Sequence, residues 1–192
     1  MKKRLVIGMT GASGAPLGIA TLNMARKCFD IETHVIYTES FLRTLQLESN
    51  FSPEDINNLA DKMYDCNDIS AAIASGTFYT VGMVIVPCSM KTLAGIACGF
   101  SDNLLLRAAD VTLKERRKLV LVTRESPLSQ IHLKNMLTLS QMGAVILPPV
   151  LTYYNCPETI EDMTQHIVGK IYDSLCLEMP GFRRWEGPYS GS

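Results

Sequence analysis

The sequence predicts a three-layer α/β sandwich, in which a parallel sheet lies between two layers of helices. Short apolar segments alternate with longer segments of helical periodicity along the whole chain. The apolar segments are continuous rather than alternating, which is typical of strands buried on both faces of a parallel sheet. Alternation of strand and helix favours right-handed βαβ units. A chain of 192 residues fits one such domain with a substantial core.

The predicted elements follow one another in a regular order. Five segments are predicted to be strands, at residues 4–9, 32–38, 82–87, 118–123 and 144–148. Seven segments have helical patterns, at residues 15–28, 39–47, 53–63, 90–99, 103–115, 129–142 and 158–176. Pro16 lies in the first turn of the first helix, where proline is well accommodated. Since no repeat or linker divides these elements, residues 1–178 are predicted to form one domain.

The periodicity is lost after Met179, so residues 179–192 are predicted to form an extended C-terminal arm. The arm contains Phe182 and Trp185. Large aromatic side chains are costly to leave in water, so we expect the arm to pack on a neighbour or over a site.

Composition excludes several classes of protein. The formal net charge of −1 gives no electrostatic case for nucleic acid or an anionic membrane as the main partner. The apolar start is too short for a signal peptide, and no stretch is long enough to span a bilayer. Six scattered cysteines without a Cys-x-x-Cys pair predict free thiols and a cytoplasmic location. His34, His132 and His166 lack metal-ligand spacing, so no metal site is predicted.

The first candidate site is the Gly-Ala-Ser-Gly turn at residues 11–14, between the first strand and the first helix. A helix N-terminus presents free N–H groups and partial positive charge. No acidic residue lies in that first turn, which leaves the amides and the Ser13 hydroxyl for an external anion. The turn matches neither the dinucleotide pattern nor a P-loop. The alternative is a glycine-rich turn that only reverses the chain.

The second candidate site is Pro-Cys-Ser-Met-Lys-Thr at residues 87–92, again between a buried strand and a helix. Ser89 and Thr92 supply hydroxyls and Lys91 a cation, so the group suits an anionic ligand. Alone, Lys91 could be a solvated lysine on a helix face. Cys88 lacks a neighbouring histidine, which favours a small buried thiol over a nucleophile.

The third candidate region is basic and suits a ligand that carries phosphate. Its five cations are Arg107, Lys114, Arg116, Arg117 and Arg124. The alternative is a solvated helix face.

Glu125 follows Arg124 directly after a predicted strand, where its carboxylate could orient a ring or accept a proton. The alternative for this pair is a structural ion pair. Tyr153 and Tyr154 follow a Pro-Pro segment and are typical of interface residues.

Together these motifs resemble the UbiX family of flavin prenyltransferases, once described as aromatic acid decarboxylases. The resemblance extends from Arg4 to Trp185, and the chain is similar to the small B subunit of bacterial phenolic acid decarboxylases. The motifs occur in the family's order, at residues 11–14, 74–76, 87–92, 107–111, 114–117 and 124–127.

The resemblance implies a flavodoxin-like or Rossmann-like fold and a homododecamer with active sites at subunit interfaces. It implies transfer of a dimethylallyl group from dimethylallyl phosphate to N5 and C6 of reduced FMN without a metal. The product, prenylated FMN, would pass to a UbiD-type phenolic or aromatic acid decarboxylase. Residues 1–178 would then be the flavin-binding domain.

The resemblance also implies roles for individual residues. The implied flavin contacts are Gly11, Ala12, Ser13, Thr38, Ser89, Met90, Lys91, Thr92 and Arg124. The implied donor-phosphate residues are Lys114, Tyr154 and Lys170, with Arg124 beside them, and the cation Arg107 is assigned to the substrate as well. Glu125 and Glu48 match active-site glutamates, and Trp185 matches a tryptophan that closes over the site.

Three departures from the family pattern concern these residues. Thr38 replaces a serine and keeps the hydroxyl. Lys170 replaces an arginine, so bidentate phosphate binding is lost. Asn and Cys at residues 155–156 replace His-Arg, which removes a cation near the donor.

Two other functions stay open at this point. FMN-dependent decarboxylases of cysteine peptides share the fold, but they use a catalytic histidine and a Pro-Ala-Ser-Ala-Asn-Thr motif where this chain has residues 87–92. The other alternative is a non-catalytic flavin-binding subunit of an aromatic acid decarboxylase. The sequence leaves open whether the donor is a monophosphate or a diphosphate, and which glutamate handles the proton.

Overall fold

The structure is a computed structural model that describes residues 2–28, 30–185 and 187. Within these residues, the strands form one sheet in the order β3-β2-β1-β4-β5-β6, and all neighbouring strands are parallel. The strands are β1 (Lys3–Met9), β2 (Ile31–Tyr37), β3 (Lys62–Tyr64), β4 (Gly82–Cys88), β5 (Lys118–Thr123) and β6 (Val145–Ile146).

Helices cover both faces of the sheet, which confirms the predicted three-layer sandwich. The helices are α1 (Ala15–Lys27), α2 (Glu39–Glu48), α3 (Pro53–Leu59), α4 (Met90–Ala97), α5 (Leu104–Lys114), α6 (Gln130–Gln141) and α7 (Ile160–Ser174). Buried side chains of α1, α2, α3 and α7 share one apolar cluster with one face of the sheet. Those of α4, α5 and α6 share a second cluster with the other face.

Two predicted elements differ from the structure. The predicted helix over residues 53–63 ends at Leu59, and residues 62–64 form the edge strand β3. Asp61 explains the change of direction, because its carboxylate accepts hydrogen bonds from the Thr33 N–H (2.8 Å) and the Thr33 hydroxyl (3.0 Å) on β2. The predicted strand over residues 144–148 is shorter than expected, since only Val145 and Ile146 pair with β5.

The strand order defines where a ligand can bind. The chain leaves β1 toward β2 and leaves β4 toward β5, so the loops after these two adjacent strands diverge and open a crevice at the carboxyl edge. Helix α1 packs closely against β4 here, since a Cβ at Gly18 would lie 2.8 Å from the Val86 carbonyl oxygen. Both predicted anion-binding loops, residues 11–14 and 87–92, therefore lie at the crevice.

No helix within the described ranges combines the length and apolar character that a membrane span requires.

Candidate active site at the carboxyl edge of the sheet

Thr10 joins the two loops of the crevice. Its hydroxyl donates a hydrogen bond to the Pro87 carbonyl oxygen (2.8 Å) and accepts one from the Ser89 N–H (2.8 Å). The Thr10 side chain is buried, and its own N–H donates to the same Pro87 carbonyl. Because three hydrogen bonds meet at one residue, the loops after β1 and β4 are held in a fixed relation. The sequence analysis did not assign Thr10 a role, although a hydroxyl residue at the end of a buried strand was a signal.

The N-terminus of α4 is the predicted anion site of residues 87–92. Ser89 caps this helix, and its hydroxyl accepts a hydrogen bond from the Thr92 N–H (3.3 Å) and lies 3.1 Å from the Thr92 hydroxyl. The first turn of α4 contains no acidic residue, and Lys91 lies there with its side chain exposed. The positive end of the helix is therefore available to an anion.

Cys88 lies directly before this turn and is fully buried, as predicted. Burial raises the pKa of its thiol to about 12. Cys88 is consequently a neutral thiol at physiological pH and is unsuited to nucleophilic attack.

A cavity of about 640 Å³ opens beside the α4 N-terminus. Thr38, which caps α2 with its hydroxyl, lines it together with Ser89, Lys91 and Thr92. This volume lies in the range of sites for cofactor-sized ligands. The sequence analysis missed several polar lining residues of this cavity, among them Arg43, Asn67, Asn103 and the two carboxylates Glu39 and Asp102. Asn67 follows β3, so its place in the wall could not be predicted while β3 was assigned to a helix.

Glu48 occupies the N-terminus of α1, which corrects one expectation. Its Oε2 accepts hydrogen bonds from the Gly14 N–H (2.7 Å) and the Ala15 N–H (2.9 Å). The amides at the start of α1 were expected to be free for an external anion, and for these two that expectation is wrong. The first turn of α1 indeed contains no acidic residue, but the end of α2 brings a carboxylate to it from a distant part of the chain.

The pKa of Glu48 reflects this position. Burial raises it, but hydrogen bonds from the Ser13 hydroxyl and the amides of Gly14 and Ala15, together with the charge of Arg124, outweigh burial and lower the pKa below its ordinary value. Glu48 is therefore a carboxylate at neutral pH. The structure thus brings Glu48, Ser13 and Arg124 together, as their assignment to one site requires.

Arg124 and Glu125 lie beside the same crevice at the end of β5. The Arg124 N–H donates a hydrogen bond to the Cys88 carbonyl oxygen (3.1 Å), and both side chains are exposed. Glu125 accepts a hydrogen bond from the Ser126 N–H (3.0 Å). In the described part of the chain, the two side chains do not form the ion pair that was the alternative for them.

Lys114 lies at the amino edge of the sheet, opposite the carboxyl edge where the crevice opens. It ends α5 and precedes β5, which begins at Lys118, whereas Arg124 follows the same strand. Six residues of strand separate the two sheet edges by about 20 Å. Lys114 pairs with Glu115 and lies beside Gly76. The basic residues of the stretch 107–124 consequently do not form one site within the chain.

Arg107 also lies outside the crevice. Its Nη1 donates a hydrogen bond to the Asp110 carboxylate (2.7 Å), and its Nε donates to the Ala74 carbonyl oxygen (3.3 Å). Through these contacts Arg107 ties α5 to the short 3₁₀ turn at Ala72–Ala74.

A third group of predicted site residues, separate from the crevice and from Lys114 and Arg107, consists of Tyr154, Lys170 and Trp185. Tyr154 and Lys170 line a cavity of about 220 Å³ together with His166. The Trp185 ring meets the Tyr154 ring edge to face, with a centroid distance of 5.3 Å. The arm therefore contacts Tyr154, and the expectation that it covers a site stays a prediction. Residue 186 and residues 188–192 of the predicted arm lie outside the described residues.

Among the residues that the structure describes, no group of three or more His, Cys, Asp and Glu side chains could hold a metal ion. His34 is buried in β2, where its Nδ1 lies 2.8 Å from the Tyr64 hydroxyl.

Comparisons with known proteins agree with this geometry. Residues 1–175 match the family model described as Flavoprotein. A probable UbiX-like flavin prenyltransferase of Escherichia coli O157:H7 is 51% identical over 184 residues, which are 96% of this chain and 93% of the relative. Flavin prenyltransferase LpdB of Lactiplantibacillus plantarum is 49% identical over 185 residues, covering 96% and 99% of the two chains.

Two crystal structures have nearly the same fold. The dodecameric FMN-dependent UbiX-like decarboxylase from Escherichia coli O157:H7 has a TM-score of 0.93 at 51% identity, covering 96% of this chain and all of that one (100%). AnUbiX in complex with FMN and dimethylallyl pyrophosphate has a TM-score of 0.95 at 46% identity, covering 97% and 99%.

Proposed function

The chain belongs to the UbiX-like family of flavin prenyltransferases, and from that premise we propose that it joins a dimethylallyl group to N5 and C6 of reduced FMN, with dimethylallyl phosphate as the donor. The observation that carries this proposal is the α4 N-terminus, which has no acidic residue in its first turn and opens on a cavity of about 640 Å³. Glu48 and Arg124 lie at the same carboxyl edge of the sheet. A phosphate-bearing cofactor and a reacting ring edge both find suitable partners there.

FMN fits the residues of the crevice. Its phosphate suits the amides of the first α4 turn, the hydroxyls of Thr38, Ser89 and Thr92, and the Lys91 ammonium group, because these are donors without a competing carboxylate in that turn. Met90 contributes its N–H in the same turn. The flavin ring is assigned to the loop of Gly11, Ala12 and Ser13 and to Arg124. When bound in reduced form, FMN supplies the nucleophilic atoms of the reaction.

We propose different tasks for the two glutamates. Glu48 already accepts hydrogen bonds from three groups of the loop after β1, and these hold its pKa low. A carboxylate engaged in this way is a weak base, so Glu48 is assigned to positioning Ser13 and Arg124. Glu125 is exposed and accepts a hydrogen bond from the neighbouring Ser126 N–H, which leaves it free to accept the proton released from the flavin ring.

The donor phosphate is assigned to Lys114, Tyr154 and Lys170, with Arg124 beside it. The three cations and the Tyr154 hydroxyl stabilise the departing phosphate, and the cations replace a metal ion in that task. Lys114 lies at the opposite sheet edge from Arg124, so it can reach the site only from another subunit. Arg107 supports the same surface by holding the turn before Gly76. The arm, residues 179–192, is proposed to cover the donor through Trp185.

A homo-oligomer, and in particular a dodecamer, is part of this proposal. Its support is the dodecameric relative and a set of large apolar side chains that are exposed on the single chain. These include Ile131 and Leu137 on α6, both at least 60% exposed, and Val150, Tyr153 and Ile160 near the third group. Apolar side chains in such number indicate surfaces that are covered in the assembly.

A UbiD-type decarboxylase is proposed to receive the product, because a modified flavin released by this site needs an enzyme that uses it. The location is proposed to be cytoplasmic. The free thiols of all six cysteines suit a reducing compartment.

The function is tested by anaerobic incubation with reduced FMN and a donor, followed by mass spectrometry of the extracted flavin. We expect the flavin to gain one five-carbon prenyl unit, and reactions without protein to show no gain. Parallel reactions with dimethylallyl phosphate and dimethylallyl pyrophosphate identify the donor. Unmodified FMN with both donors, despite tight flavin binding, would contradict the transferase and favour a flavin-binding subunit.

Thr10→Val is expected to weaken FMN binding about tenfold. Valine keeps the shape of threonine but leaves the Ser89 N–H without its acceptor and removes one of the two hydrogen bonds that Thr10 donates to the Pro87 carbonyl oxygen, so the loops of the crevice are held less firmly. The dissociation constant is measured by titrating FMN fluorescence. Thr10→Ser, which keeps the hydroxyl, is the matched control and should bind FMN nearly as the parent chain does. Equal binding by the valine variant would contradict the prediction.

A further inference from the structure

His166 lies within the third group, next to two residues assigned to the donor phosphate. It precedes Lys170 by four residues on α7, so both side chains lie on the same face of the helix. Its Nε2 atom lies 3.4 Å from the Tyr154 hydroxyl oxygen, and the two rings meet edge to face with centroids 5.8 Å apart. His166, Tyr154 and Lys170 all line the cavity of about 220 Å³.

Tyr154 depends on these contacts for its orientation. It belongs to the segment between β6 and α7, where the backbone forms neither helix nor strand, and its side chain is 57% exposed. The His166 ring and the Trp185 ring are the aromatic neighbours that contact it in the described residues. His166 is itself packed against Phe182 of the arm, with a centroid distance of 5.7 Å. An ordered helix thus fixes an otherwise weakly held phenol through one imidazole.

We propose that His166 is a positioning residue for the donor phosphate. Its Nε2–H donates a hydrogen bond to the Tyr154 oxygen and leaves the phenol proton of Tyr154 for the phosphate. A phenol that receives a hydrogen bond on its oxygen can direct its own proton toward a second acceptor. The cavity shared with Lys170 then presents one neutral donor and one cation to the same phosphate. This inference rests on the proposed function, since it assumes that Tyr154 and Lys170 bind the donor.

The protonation state of His166 agrees with this role. Burial and the charge of Lys170 both lower its pKa, so the imidazole is neutral at pH 7 and carries one N–H. His166 therefore does not replace the cation that is absent at residues 155–156, and it acts through Tyr154. A lone histidine without metal-ligand spacing gave no such indication in the sequence.

Two variants separate the hydrogen bond from the packing. His166→Phe keeps an aromatic ring of similar size but cannot donate to the Tyr154 oxygen. His166→Gln keeps an N–H donor and loses the ring. Thr164→Val, also on α7 but outside this cavity, controls for general disturbance of the helix.

Binding is measured on the full-length protein with dimethylallyl phosphate and no flavin turnover. The single tryptophan of the chain, Trp185, lies against Tyr154, so its fluorescence reports on this cavity. We expect His166→Phe to raise the donor dissociation constant about threefold to tenfold, the effect of one lost hydrogen bond. His166→Gln and Thr164→Val should stay within about twofold of the parent chain.

Turnover gives a second reading of the same variants. With reduced FMN in excess, His166→Phe should raise the donor KM by the same factor and leave kcat and FMN affinity nearly unchanged. An unchanged donor dissociation constant in His166→Phe would overturn the inference. An equal defect in His166→Gln would also overturn it, because packing alone would then explain the effect. A protein that binds the donor normally but forms no prenylated flavin would contradict the proposed function, while the binding constants would still decide the role of His166.

Discussion

Replacement of Glu48 by alanine is expected to reduce flavin prenylation by about 100-fold or more and to lower the free energy of unfolding by about 1–2 kcal/mol. The carboxylate satisfies the N–H groups of Gly14 and Ala15 at the start of α1, and alanine leaves both without a partner. The same change removes the group that holds Ser13 and Arg124 in place. Both the fold and the site therefore depend on one side chain.

The loss of stability and the loss of activity are measured in two assays on the same preparation. Urea unfolding followed by circular dichroism gives the stability, and mass spectrometry of the flavin gives the rate of product formation. Gln46→Ala is a suitable control, because Gln46 also lies on α2 but is exposed and does not line the cavity of about 640 Å³. Normal activity in the Glu48→Ala variant would remove Glu48 from the site.

Glu48→Gln separates charge from hydrogen bonding and carries a prediction on pH. The folded pKa of Glu48 lies below its ordinary value of 4.5, so ionised Glu48 stabilises the folded state above that value. This contribution is lost as the pH falls through the folded pKa. The stability difference between the parent chain and Glu48→Gln should accordingly be full at pH 7 and shrink in acid. Urea titrations at pH 7 and in acid test this, and an equal difference at both would contradict it.

The sequence was sufficient to predict the crevice but not all of the side chains that line it. Residues 11–14 and 87–92 each follow a continuous apolar strand, and adjacent parallel strands must end at one edge. The hydrogen bonds of Glu48 to the start of α1 could not be predicted from the sequence pattern, since they depend on how α2 packs against α1. β3 has only three residues, too few for a periodic signal, so the wall that follows it was also missed.

The basic stretch shows what sequence order does and does not reveal. Five cations within residues 107–124 suggested one phosphate site, yet a strand lies between Lys114 and Arg124. The predicted strand at residues 118–123 already implied that its two ends lie at opposite edges of the sheet. In our proposal a second copy of the chain brings the two cations to one phosphate. Only the family resemblance pointed to such a shared site, because packing between copies leaves no local pattern in the sequence.

This separation leads to a subunit-complementation prediction. Lys114→Ala removes a cation from one sheet edge, and Glu125→Gln removes a base from the other, so each variant alone should lose about 100-fold or more of its activity. If each site takes Lys114 from one subunit and Glu125 from another, particles assembled from both variants contain some sites in which both residues are intact. Random assembly of equal amounts makes each residue intact half of the time, so activity should recover to about one quarter of the parent level.

The experiment requires particles in which the subunits are truly mixed. The two variants are co-expressed with different tags, purified in sequence through both tags, and their composition is verified by intact mass. A mixture of separately assembled variants is the matched control and should show no recovery. If mixed particles are equally inactive, then Lys114 and Glu125 act within one chain, which the strand between them does not permit, or Lys114 does not serve the site at all. Recovery, by contrast, requires a site shared between copies, because no single chain in the mixture carries both residues.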